Sequence, residues 1–111
     1  MESLIQVRIK ENALVARIAA FKLGASKTGA AIVFGSTIYL YKVTREELLS
    51  NIPYLRHEVA HVLQYHREGW FGFLAKYLWL SLRFGYRQNP FELEARDAQT
   101  DKEILKKVTI L

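Results

Sequence analysis

Ile5, Val7 and Ile9 alternate with Gln6, Arg8 and Lys10, a period of two that predicts a half-buried strand. From Asn12 the period lengthens. Leu14, Ile18 and Phe21 recur at helical spacing and Gly24 supplies a stop, so a helix is expected over about 12–23. Ala31–Phe34 and Ile38–Tyr41 are rich in β-branched and aromatic residues, and Gly35-Ser36 between them suits a tight hairpin turn. Thr44-Arg45-Glu46-Glu47 has the form of a capping box opening a short helix. Ser50–Pro53 interrupts that helix and restarts another, expected over about 52–67 with its end near Gly69.

Trp70 to Phe84 is apolar almost all round, the pattern of a helix that is buried or set against a second apolar surface. Its expected place is between the 52–67 helix and the last helix, with Trp70 and Trp79 shielded from water. The alternative is a membrane surface or a protein partner, with Lys76 and Arg83 at the headgroups. A last helix over about 90–106 would turn Phe91, Ala95, Ala98 and Leu105 inward, and the tail Val108–Leu111 would pair as an edge strand or fray. These elements predict an α+β fold, a small sheet packed on three to four helices.

Composition narrows this picture. The chain has 111 residues, 50% of them hydrophobic, which suits one domain over 1–111 around a single core. Sixteen basic against 11 acidic residues leave a net charge of +5, but the cations are scattered, so nucleic-acid binding has no support. With no cysteine, disulfides and thiolate zinc sites are excluded. Met1–Arg8 lacks the basic region and apolar run of a signal peptide, and Lys76 and Arg83 interrupt the one strongly apolar region. The expected compartment is therefore the cytoplasm, with peripheral membrane association through 70–86 as its variant. Ala25–Gly29 fails as a phosphate-binding loop, because Lys27 and Thr28 precede the glycine and a strand follows.

The candidate chemistry lies in Leu55–Leu63, which contains His57-Glu58-Val59-Ala60-His61. On a helix, His57 and His61 stand one turn apart on one face, so both imidazoles can ligate one metal ion. Glu58 beside them is placed to hold and deprotonate a metal-bound water, the zinc-hydrolase reading of this spacing. Such residues also occur simply as a solvated helix face. Against that, Ile52, Leu55, Val59, Val62 and Leu63 form an apolar stripe about opposite the histidines. A longer three-histidine motif is excluded, since Gln64 and Arg67 stand where it needs Gly and His.

Two histidines are too few for tight zinc binding, so a third ligand must come from elsewhere. His66 is turned about 140° from His61 and is expected to meet the helix C-terminal dipole instead. The carboxylates of Asn89–Ala98 remain, where Glu92 and Glu94 lie about 160° apart and only one can face the histidines. Asn89, Pro90 and Glu92 also fit a capping box, which would give Glu92 a purely structural role.

From Tyr54 to Ala98 the chain resembles the gluzincins, zinc metallopeptidases whose third ligand is a glutamate on a helix downstream of His-Glu-x-x-His. The Phe91-Glu92-x-x-Ala95 run looks like their membrane-linked and small cytosolic branches, and Asn89-Pro90-Phe91-Glu92 after a short insert looks like short, minimal gluzincin-like domains. The resemblance implies a compact zincin-like domain holding one Zn2+ through His57, His61 and Glu92. It implies Glu58 as general base and a peptide or protein as substrate, held along a sheet-edge strand ahead of the motif helix. Arg96 departs from the pattern, which more often has aspartate there to orient a ligand histidine; Asp97 or Glu94 would have to replace it. Tyr86, just before the Glu92 helix, is the candidate for oxyanion stabilisation, with aromatic packing as the alternative. The rivals to a peptidase are an inactive zinc-binding homologue that serves a partner, and a membrane-surface module in which the histidines are incidental.

Overall fold

The computed structural model describes residues 4–14, 16–17 and 29–111. It is an α+β arrangement in which four strands form one mixed sheet against four helices among the described residues. The strands are β1 (Ile5–Lys10), β2 (Ala30–Phe34), β3 (Thr37–Tyr41) and β4 (Val108–Ile110), in the order β2-β3-β1-β4. β2 and β3 are an antiparallel hairpin, whereas β1 runs parallel to both its neighbours. The tail therefore pairs rather than frays: Ile5, Gln6 and Val7 stand opposite Val108, Thr109 and Ile110.

Gly35 and Ser36 make the hairpin turn, and Gly35 alone of the two has a positive φ, at 62°. A Cβ there would also come within 2.9 Å of the Trp70 indole nitrogen. Trp70 thus closes over the turn, stacking on Phe34 with ring centroids 6.2 Å apart.

The helices are α1 (Arg45–Ser50), α2 (Ile52–Glu68), α3 (Trp70–Phe84) and α4 (Pro90–Asp97). Thr44 and Glu47 cap α1 reciprocally, and Asn51 with Pro53 starts α2. α2 is buried on two sides. Leu55, Val59 and Val62 face the core with Val7, Ile38 and Leu40 of the sheet, and Glu58 and His61 are buried on the other side.

Three expectations are corrected. The last helix ends at Asp97 rather than near 106 and continues as short 3-10 turns at Ala98–Thr100 and Ile104–Lys107, where Ile104 is buried and Leu105 packs partly buried against the core. Local side-chain bonds compete with the helix there: the Thr100 hydroxyl donates to the Asp97 carbonyl, and Asp101 accepts from the Glu103 amide. Next, Leu14 is exposed while Ala16 is buried; Leu14, Ala16 and Arg17 are helical, and the rest of the 12–23 helix lies outside the described residues, as does Ala25–Thr28.

The third correction concerns α3. Only one side of it packs, through Phe73, Tyr77 and Leu80, while Trp70 and Trp79 are 46% and 61% exposed. A short layer has room to bury one face of a helix, and here that face is spent against α2 and α4. None of the described helices is long and apolar enough to cross a membrane.

Candidate metal centre

α2 presents His57 and His61 one turn apart, their ring centroids separated by 5.1 Å. Both turn their Nε2 atoms to one carboxylate. His57 Nε2 is 3.1 Å from Glu92 Oε1, and His61 Nε2 is 3.2 Å from Glu92 Oε2. One nitrogen from each histidine and one Glu92 oxygen all lie within 4.8 Å of one another. Donors at about 2.0–2.1 Å from one tetrahedral zinc stand roughly 3.4 Å apart, so these residues fit such an ion with small adjustments. Other carboxylates take no part in this group among the described residues.

Glu92 arrives from the first turn of α4. Asn89 does cap that helix, accepting from the Phe91 amide, with Pro90 at the first position. Glu92 does not complete a capping box, however; its carboxylate is 3% exposed and turned to the histidines. The Asn89 side chain is fully buried and also donates to the Tyr77 carbonyl and the Ser81 hydroxyl, tying α4 to the end of α3. That tie brings Tyr77 to the site, where its hydroxyl donates to Glu92 Oε2 at 2.5 Å. Sequence reasoning missed Tyr77 as a site residue because its helical spacing is also that of core packing.

Behind the histidines stand two amides. Gln64 Oε1 accepts from His61 Nδ1 at 2.8 Å, and the Gln64 nitrogen donates to the Phe91 carbonyl and to Glu94. The Gln99 side-chain nitrogen donates to His57 Nδ1 at 2.9 Å, and Arg56 anchors Gln99 by donating to its main-chain carbonyl at 3.0 Å. At His61 the amide oxygen facing Nδ1–H leaves the Nε2 lone pair directed at the metal position. Neither Asp97 nor Glu94 orients a ligand histidine, which corrects that expectation. Glu94 pairs with Gln64 and Arg67, and Arg96 donates to the Arg87 carbonyl. Gln64, which had served only to exclude the longer motif, is thus part of the support. His66 bonds Ser36 of the hairpin at 2.9 Å and stays out of the centre.

The two carboxylates differ in their proton affinity. Burial pushes Glu58 up to about 7, an effect only partly offset by His61 and His57. Burial acts on Glu92 in the same sense, but bonds from His57, His61 and Tyr77 outweigh it and hold that carboxyl well below the usual range. Environments that push paired carboxylates apart separate an acid–base group from a permanently charged one.

His57, Glu58, His61, Tyr86 and Glu92 line one cleft of about 200 Å³. Its other wall is Ala31–Phe34 of β2. Side chains alternate along a strand, so four consecutive lining residues mean that the strand's edge borders the cleft. β2 is the outermost strand of the sheet, and among the described residues its main-chain groups on this edge pair with no other strand. Tyr86 borders the cleft and is half-exposed; burial and the nearby Glu92 and Glu58 charges push its hydroxyl up to about 12, so it stays a proton donor at neutral pH.

Comparison of the chain with family models, with curated proteins and with solved structures finds no match, so the functional reading stands on these residues and their geometry.

Proposed function

We propose that this protein is a zinc-dependent peptidase. The observation that carries the reading is the convergence of His57, His61 and Glu92 in the same cleft as a further carboxylate, Glu58, beside the outer edge of β2. Bound by those three residues, Zn2+ would supply Lewis-acid polarisation of a carbonyl and a lowered pKa for water.

The protein's own groups divide the remaining work. Among the described residues no hydrogen bond engages the Glu58 carboxylate, and a group near pH 7 is matched to taking a proton from the attacking water and returning it to the leaving amine. The β2 edge suits an extended peptide, which would add as a strand through main-chain bonds and need no deep side-chain pockets. Tyr86, which borders the cleft, would donate to the developing oxyanion. Gln64 keeps the His61 imidazole in the tautomer and orientation that ligation requires, and Gln99 fixes the orientation of the His57 ring.

A second reading, a zinc-holding but inactive homologue that binds a partner, is favoured by one observation: the cleft's 200 Å³ falls below the roughly 300–1,000 Å³ of ordinary ligand pockets. A paired measurement separates the two. Wild type and Glu58→Gln should each carry about one zinc per chain, while cleavage of a diverse peptide library should fall about 10²- to 10⁴-fold in the variant. Zinc in both with no cleavage by wild type would favour the inactive homologue, and undiminished cleavage by the variant would remove Glu58 as the base.

A further inference from the structure

We propose that the outer face of α3 docks on an anionic phospholipid surface. Phe71, Ala75, Leu78, Trp79 and Leu82 fall within about 100° of one another around this helix and form one continuous exposed stripe. Phe71 and Leu82, at its ends, are 82% and 85% exposed. Large side chains so exposed in a row are unlike the scattered apolar residues of an ordinary surface.

Charge decides the occupant. Between Gly69 and Phe91 there is no acidic residue, while Lys76, Arg83 and Arg87 lie on that stretch. Lys76 and Arg83 flank the stripe on one side, Lys76 holding Glu68 at 2.6 Å and Arg83 lying over the Phe84 ring. A second copy on this face would bring two chains of +5 together, whereas a surface of anionic headgroups would be attracted. The shape agrees with this. The stripe is a convex helix face rather than a groove, and 15 residues make about 22 Å of helix, too short to span a bilayer of about 30 Å but suited to lying in its interface.

The other flank of the stripe turns into the catalytic cleft, where Leu74 and Leu78 are lining residues. Docking would therefore hold the cleft mouth at headgroup level, and its substrate would be a polypeptide segment at the membrane surface; this last step rests on the peptidase reading, while the docking does not.

Flotation of the full chain with vesicles of phosphatidylcholine alone and of phosphatidylcholine with phosphatidylglycerol tests the proposal. The chain should float with the anionic vesicles, and the Trp79 emission should shift to the blue on binding. Phe71→Glu/Leu82→Glu should lower the partition coefficient by at least about tenfold, with unchanged circular dichroism and zinc content. Arg83→Glu should weaken binding to the anionic vesicles and leave that to neutral ones unchanged. Failure of the wild type to float with anionic vesicles would overturn the proposal. So would full binding by a folded Phe71→Glu/Leu82→Glu variant, or a dimer in sedimentation that this variant dissolves while vesicles leave it intact. Zinc content and cleavage of a soluble peptide are read separately, so a failed docking site and a failed peptidase reading remain distinguishable.

Discussion

A single carboxylate, Glu92, lies against two imidazoles and accepts from a phenol at once, and its role can be separated from that of its near neighbour Glu94. Glu94 is half-exposed and engaged with Gln64 and Arg67. Glu92→Ala should therefore abolish tight zinc binding, while Glu94→Ala should leave it within a few-fold of wild type, as competition with a chromogenic chelator would read. Gln64→Leu should fall between them. It keeps the side-chain volume but removes the acceptor for His61 Nδ1–H, a class of loss that typically costs about 10- to 100-fold in metal affinity. Equal affinity in wild type and Gln64→Leu would mean that the amide serves only to hold α4.

At the scale of elements, the centre is assembled by two ties between secondary structures. Asn89 joins α3 to α4 and so sets Tyr77 against Glu92, and Trp70 closes over the β2–β3 turn at the far end of the cleft. The second tie depends on glycine. Gly35→Ala would place a Cβ within 2.9 Å of the Trp70 nitrogen, in a backbone conformation that disfavours a side chain by about 1–2 kcal/mol. Thermal unfolding of Gly35→Ala should show a Tm lower by roughly 5–10 °C. Peptide cleavage should also fall, because the displaced strand forms a cleft wall. A variant as stable as wild type would show that Trp70 can move aside at no cost.

For the whole molecule, burying Glu58 links stability to pH when no metal is bound. Its folded-state pKa of about 7 lies above the ordinary 4.5, so the folded protein binds more protons than the unfolded chain between those values. The resulting stabilisation is fully present below about pH 4.5 and is lost as pH rises through about 7. Chelator-treated wild type should therefore lose about 3 kcal/mol relative to chelator-treated Glu58→Gln across that window, measured by urea unfolding. A constant difference between the two proteins would show that Glu58 ionises at its ordinary value. Zinc should reverse the trend, since ligation requires deprotonated ligands and stabilises only the folded form.

The local features were legible in the chain because they are set by neighbours in sequence. The His57/His61 face, the Thr44–Glu47 cap, the hairpin at Gly35-Ser36 and the Asn89-Pro90 helix start all follow from steric and hydrogen-bonding rules that act within a few residues. Glu92 and Glu94 were indistinguishable on the same grounds, since either could have faced the histidines. Packing of α4 on α2 through buried Gln64, and on α3 through buried Asn89, decided between them. Gln99 and Tyr77 were invisible for a like reason: their partners are 42 and 15 residues away in the chain, and amides and phenols carry no spacing signal. Nor could an all-round apolar pattern say which side of α3 would be covered. That depended on which neighbouring elements came to lie against it, and periodicity within one helix holds no information about them.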